Sequence, residues 1–434
     1  MMRKTLNPKE TSMNTLDLQR KQLLGYFSIT TILLFLNSFL LSSPKEIFEG
    51  MKLIFVSRDA LITDYFELTS YGTAFFNSAL LMLMGLLTVI RLNLHFTGLT
   101  VAALFINAGF ALFGKNPVNI LSILLGTYLY AKVNRVTFKR YVYTAMFGTC
   151  LGPIITELVH VLPFDNYINI IIAILLGILI GFILPPLAMH TVSMHNGYSL
   201  FNVGFAAGLI GFVFVSMFNS FGYTANTLMI WKKGQPLWLA VGLYAFFILT
   251  FLYGLYINKG KLKPLLRLLE HPGRAVADFI LMDGVGTTLM NMGIVGAFST
   301  TYILLIQGDL SGPVVGGILT IFGFAAFGIH LRNYWPILLG VFLTSFVTIY
   351  PVTSASMQLA AIFCAGLAPI AGQFGILAGI MAGFLHVGLV HATGSMYAGL
   401  NLYNNGFATG FVAIIMIPLL ESYIKHFNDI KEKK

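Results

Sequence analysis

The chain has 434 residues, of which 57% are hydrophobic and only 10% charged, and its formal net charge is +10. Soluble domains carry about 25% charged residues, so this composition excludes an ordinary water-soluble globule. The positive balance alone could indicate nucleic acid, but the lysines and arginines sit in short loops and tails beside apolar runs, the pattern of membrane topology, and no nucleic-acid partner is expected.

Residues 1–21 form a basic tail with Arg3, Lys4, Lys9, Arg20 and Lys21. An apolar run near 22–42 follows, with no clear small-residue cleavage site after it, so it reads as an anchor helix within a segment 22–58 and not as a cleavable leader. The next unit, 59–220, holds six expected spans near 72–91, 97–113, 117–132, 138–160, 166–190 and 198–220. A linker, 221–272, contributes one span near 236–257. The unit 273–424 holds six more, near 286–306, 312–328, 334–350, 355–372, 374–392 and 400–422, before a tail at 425–434. Crossing about 30 Å of hydrocarbon as a helix takes roughly 20 residues, and the uncharged stretches fit that length. Segments 97–113 and 312–328 are short enough to be half-helices. The runs do not alternate in a period of two, which argues against a transmembrane barrel. The fold class expected is therefore an all-α polytopic membrane protein.

The two six-span units are copies of each other. Residues 72–126 align without a gap on 286–340 at one offset (286−72 = 214), with 15 identities in 55 positions. A second block repeats at another offset (389−187 = 202), with 11 identities in 25 positions. The basic loop Lys132, Arg135, Lys139 and Arg140 corresponds to 346–354, which carries no charge. Further basic groups lie at Lys259, Lys261, Lys263 and Arg267 and in the tail at Lys425, Lys431, Lys433 and Lys434. The positive-inside rule puts all of these, with both termini, in the cytoplasm. Lys232-Lys233 falls on the other side and is the exception. A loop that is basic in one copy and bare in the other implies opposite orientations, that is, inverted-topology repeats with a site where they meet.

Candidate site residues are the polar groups and glycines that recur in both copies. Gly-Thr at Thr73 and Thr287 opens a span, and Asn77 or Asn291 follows about one turn later. An unpaired amide in hydrocarbon costs several kcal/mol, so each asparagine needs a partner, either as glue between helices or in a site. Phe201-Asn202-Val203-Gly204 and Tyr403-Asn404-Asn405-Gly406 repeat an aromatic-Asn-x-Gly element. Glycine there allows a helix to break, and Asn202, Asn404 and Asn405 offer both donor and acceptor to a small polar solute walled by Phe201 or Tyr403, with Gly204 and Gly406 behind. The alternative is a kinked packing interface.

Intramembrane acids are few. Asp64 and Asp278 are repeat-equivalent (278−64 = 214), with Glu67 and Asp283 nearby, in stretches 59–70 and 273–284 too short to span. They read either as helix caps or as elements packed on the site. Glu157 stands where the second copy has Gln373. One titratable group on one side of a repeated site makes Glu157 the coupling candidate for a proton or sodium ion, with Asp64, Asp278 and Asp283 as the next candidates. His190, His195, His386 and His391 have five-residue spacing, which does not put two ligands on one helix face, so no metal site is expected. Cys150 and Cys364 lie in apolar surroundings and read as packing residues. No phosphate-binding loop, His-Glu-x-x-His pair or Gly-x-Ser-x-Gly elbow is present, so neither enzyme activity nor a cofactor is expected.

The block Gly109–Lys115, with the blocks His195–Gly208 and Gly399–Gly410, resembles the bacterial multi-pass family catalogued as domain of unknown function 1576. The resemblance implies a bacterial cytoplasmic-membrane protein with two homologous halves and no established activity. Leu402-Tyr403-Asn404-Asn405-Gly406 is more distantly similar to an element of urea transporters, although their Leu-Pro-x-x-Thr-x-Pro-Phe signature is not found. The functional expectation is a transporter or channel for a small polar solute, with the lipid bilayer as its surroundings and a homo-oligomer compatible with the sequence. The alternative is a non-transport scaffold or envelope-assembly factor.

Overall fold

A computed structural model describes residues 8–59, 62–222 and 229–432, with side chains placed within 16–59, 62–222 and 229–426. Arg3, Lys4, Lys9, Lys431, Lys433 and Lys434 lie outside the described side chains. The described residues are helical, with no strand and only two isolated bridge pairs. Ten of the helices are long and apolar enough to cross a membrane. The chain is a multi-span helical membrane protein.

Helix α1 (Pro8–Leu41) runs antiparallel to α4 (Tyr71–Arg91): Arg20 bonds Asn93 at one end, and Ser42 bonds Ser70 at 2.9 Å at the other. Between them lie α2 (Pro44–Val56), started by a Ser43–Glu46 capping box, and the single turn α3 (Tyr65–Leu68). After α4 the chain doubles back as α5 (Gly98–Phe110), turns through 111–116, and leaves as α6 (Pro117–Val133). The turn sits level with Asn77, near the start of α4, whose Nδ2 donates to Ala111 O at 2.7 Å and Lys115 O at 2.8 Å. A span broken at Thr149–Leu151 follows, as α7 (Val142–Gly148) and α8 (Gly152–Val161). Then come α9 (Asn166–Met194) and α10 (Asn202–Ser220).

The linker helix α11 (Leu237–Ile257) begins beside Tyr71, whose ring meets Trp238 at 4.9 Å, and ends where Asn258 Nδ2 donates to Thr287 at 2.9 Å. Tyr71 starts α4, whereas Thr287 lies in the first turn of α14 (Val285–Leu305), so these equivalent helices start at opposite ends of α11. The short α12 (Lys263–Leu268) and α13 (Phe279–Asp283) precede α14. After it, α15 (Gly312–Phe324) and α16 (Leu331–Thr344) form the counterpart hairpin. Asn291 Nδ2 holds its turn through Ala325 O and Ile329 O, both at 2.8 Å. A second broken span, α17 (Ala355–Phe363) and α18 (Ala368–Phe374), leads to α19 (Ile376–Met396) and α20 (Asn404–Glu432).

Two of the fourteen expected spans, 117–132 and 334–350, are therefore corrected, and 97–113 and 312–328 are the half-length helices that their size allowed. The segments near 97–113, 117–132, 312–328 and 334–350 are helices of 13, 17, 13 and 14 residues that pair as two hairpins. Thirteen residues rise only about 20 Å, short of the hydrocarbon thickness. Each pair replaces two crossings, so the sidedness of everything after it is unchanged.

The two short helices α5 and α15 form the centre of the molecule. Every residue of α15 is buried, and every residue of α5 except Leu99. They pack antiparallel: Gly98 lies against Ala326, Gly109 against Gly316, and Gly312 against Leu112. Glycine is required at the crossing, because a Cβ on Gly109 would lie less than 3.0 Å from the Gly316 carbonyl oxygen, and the reverse holds for Gly316. Phe105 and Phe322 meet edge-on at 4.7 Å beside it.

Candidate functional site

The two halves are tied together by crossed hydrogen bonds. The Asp64 carboxylate caps α3 by accepting from Phe66 N at 2.8 Å, and it also accepts from Gly312 N at 3.0 Å, the first residue of α15. Asp278 caps α13 through Ile280 N at 3.1 Å and accepts from Gly98 N at 2.8 Å, the first residue of α5. Each half thus caps the central short helix of the other, where backbone N–H groups are unpaired and favour negative charge. Burial pushes the Asp64 carboxyl up to about 6 and raises that of Asp278. A second crossed pair lies deeper: Leu200 N donates to Gly366 O at 2.9 Å, and Leu402 N to Cys150 O at 3.2 Å. Those carbonyls belong to the broken turns of the two interrupted spans, where a helical partner is missing.

The repeated aromatic-Asn-x-Gly elements meet at this junction. The rings of Phe201 and Tyr403 are 5.0 Å apart, Gly204 abuts Tyr403, and Gly406 abuts Gly204 and Phe201. The asparagines turn away from the junction. Asn202 Oδ1 accepts from Thr191 at 2.8 Å and His195 Nε2 at 2.9 Å, and its Nδ2 donates to Ala188 O at 2.8 Å. Asn404 does the same with Thr393 at 2.9 Å, the Tyr397 hydroxyl, and Val390 O at 3.1 Å. Both pin the start of a helix to the end of the one before it. Asn405 Oδ1 accepts from His386 Nε2 at 3.0 Å.

The remaining sequence candidates are spread out. Thr73 joins the cap of α4 through Ser70 at 2.9 Å, and Thr287 accepts from Asn258. Asn77 and Asn291 hold the hairpin turns. Glu157, in the middle of α8, is held by both the Nε and Nη2 groups of Arg58. Asp283 accepts from His271 at 3.0 Å and lies 3.6 Å from Arg267. Asp64 and Asp278 are the only coupling candidates that reach both halves.

Two charged groups at the turn of α5 and α6 were not singled out by sequence. Asp59 is buried and accepts from the Tyr65 hydroxyl at 2.7 Å, Asn119 at 3.1 Å and Asn116 at 3.3 Å. Burial pushes its carboxyl up to about 7. In the second half backbone carbonyls take this place: His330 bonds His271 O at 2.8 Å, and Asn333 bonds Pro272 O at 3.4 Å. Lys115 is fully buried, and its ammonium donates to Asn107 Oδ1 at 2.9 Å, which also accepts from Thr149 at 3.3 Å. Among the described residues no carboxylate pairs with Lys115. The alignment did contain a signal, since the counterparts of Lys115 and Asn107 at the 214 offset are Ile329 and Ile321.

Asn107 and Thr149 form the polar end of a cavity of about 330 Å³ between α4, α6 and α7. Its other walls include Leu81, Met84, Ile120, Leu124 and Met146. In the second half Phe298 and Tyr334 occupy the counterpart positions of Met84 and Ile120, with their rings in contact at 5.7 Å. The first half thus has a cavity with a polar floor at a place where aromatic rings pack in the second. Among the described residues no cluster of metal-ligating side chains is present.

Residues 43–220 and 257–422 match the family described as "Protein of unknown function (DUF1576)", and the chain belongs to that family. No curated protein and no solved structure matches it. No match supports the likeness of Leu402–Gly406 to urea transporters.

Proposed function

We propose that this protein is an integral membrane transporter or channel for a small polar solute, built from two inverted-topology repeats with its site where they meet. The observation that carries the reading is the crossed capping. Asp64 on Gly312 and Asp278 on Gly98 bring two half-depth helices together antiparallel. Half-length helices running in opposite directions at the junction of inverted halves are the usual binding-site architecture of membrane carriers. The opposite starts of α4 and α14 along α11, and the gathering of basic loops at one end, support the inversion and cytoplasmic termini. A bacterial cytoplasmic membrane is the compartment these features suit.

Two measurements test this. Single cysteines at Arg135 and Ser354 should label from opposite sides of the membrane; labelling from the same side refutes inversion. Purified protein in liposomes should speed equilibration of at least one class in a panel of small neutral and ionic solutes. Folded protein that moves none of them points instead to a scaffold or assembly factor.

A further inference from the structure

We infer that the Lys115 centre is a binding site for an organic monocarboxylate with an apolar tail, which enters the first half sideways from the bilayer. The inference names a substrate class for the transport reading above, but the binding part stands without transport.

The argument starts from donors without acceptors. A lysine ammonium has three N–H donors and no acceptor. Lys115 uses one on Asn107 Oδ1 and lies 5.5 Å from the centre of the Phe110 ring. The Phe110 ring in turn meets that of Tyr403 at 5.5 Å. The buried Tyr403 hydroxyl has no hydrogen-bond partner. Tyr403 follows Leu402, which bonds Cys150 next to Thr149. A buried lysine with no carboxylate beside it and an unpaired hydroxyl therefore lie on either side of the Phe110 ring. A buried charge needs a counter-charge or acceptors, and an anionic head group supplies both.

The cavity specifies the rest of the ligand. Its floor is Asn107, the acceptor of Lys115, and Thr149; Lys115 itself lies behind that floor, and the rest of the lining is apolar apart from Thr88 and the Tyr128 hydroxyl. Leu121, Leu125 and Tyr128 line it and are also exposed on the outer surface of α6. In a membrane-spanning protein that surface faces lipid, so the mouth opens to acyl chains and not to water. A charged head at the inner end and a hydrocarbon tail along the walls fit this shape. The second half has no such site, with Ile329, Ile321 and Tyr334 at the corresponding positions.

The test uses the full chain in phosphatidylcholine nanodiscs, with octanoate and its neutral isostere octanamide as probes. Octanoate should bind and raise the unfolding temperature, and octanamide should bind at least roughly tenfold more weakly. Lys115→Met should weaken octanoate on the order of ten- to a hundredfold, while Lys115→Arg keeps most of the affinity. Ile120→Tyr, which gives the first half the ring that Tyr334 supplies in the second, should abolish octanoate binding and leave the protein folded. Equal affinity for octanamide, or full octanoate affinity in Lys115→Met or Ile120→Tyr, overturns the site. Displacement of octanoate by phosphatidylglycerol would assign the pocket to a lipid head group and overturn the free-carboxylate assignment. Octanoate that binds but is not moved across proteoliposomes refutes transport and leaves the site. Flux of another solute without octanoate binding does the reverse.

Discussion

Replacing Gly109 by alanine puts the central crossing under direct load. In an isolated helix the change would be favourable by up to about 1 kcal/mol. Here the new methyl would lie less than 3.0 Å from the Gly316 carbonyl oxygen and 3.1 Å from its carbon. Those neighbours are backbone, so no side chain can swing aside. Both helices are buried along nearly their whole length, and separating them far enough to admit the methyl disturbs the Phe105–Phe322 contact and the capping bonds at both ends. Overpacking of this kind costs about 1–3 kcal/mol. Combined with the propensity gain, a net loss of roughly 1–2 kcal/mol is expected. Gly316→Ala should cost a similar amount, and the double variant less than the sum, since one separation of the helices serves both. Gly388→Ala is the control, because its Cβ would meet nothing within 4 Å. Denaturant unfolding in detergent micelles reads all four. A Gly109→Ala protein as stable as the Gly388→Ala control would mean that α5 and α15 do not pack as described.

Asp59 gives a pH prediction. Its carboxyl is raised from 3.8 to about 7 by burial, so the folded protein holds a proton that the unfolded chain releases. The stability this contributes is fully present below pH 3.8 and is lost as pH rises through about 7. Asp59→Asn should flatten the fall in unfolding temperature across that window, and an unchanged slope would exclude Asp59 as its source. Asn77→Leu and Asn291→Leu each leave two buried carbonyls without a donor, for a loss on the order of 2–4 kcal/mol measured by denaturant unfolding. Near-equal losses are expected, and a small loss at either site would show that its turn is held by something else. Arg58 is partly exposed, so Glu157→Gln and Arg58→Gln should each cost about 1 kcal/mol and the double variant little more, in a double-mutant cycle of unfolding. Additive losses would show that the pair acts separately.

Much of the framework was legible in the sequence. The ten long helices follow from apolar length, and the offset of 214 placed Asp64 opposite Asp278 and Asn77 opposite Asn291 before any geometry was known. The hairpins were harder, because an apolar stretch of 13–17 residues has the same composition whether it crosses or turns back. The run Gly114-Lys115-Asn116-Pro117 marks the turn of one hairpin, with glycine, an N-cap and a proline at N1 in succession. The partners of Asp59 were not legible, since Asn116 and Asn119 lie 57 and 60 residues away along the chain. Lys115 was hidden by its setting in the block Gly109–Lys115, which matches its copy at five of seven positions. What distinguishes it is the contrast with Ile329, and the value of a repeat here lies in its mismatches as much as in its matches.

The crossed capping also bears on how the chain is made. During synthesis the first half is made before Asp278 exists, so the Gly98 N–H at the start of α5 waits for that acceptor while the Thr97 cap is already in place. The second half has no such delay, because Asp64 is already in place when Gly312 arrives. Completion of the centre is therefore a late event that requires both halves. A single half made alone would leave the Gly98 or Gly312 N–H without its aspartate partner from the other half.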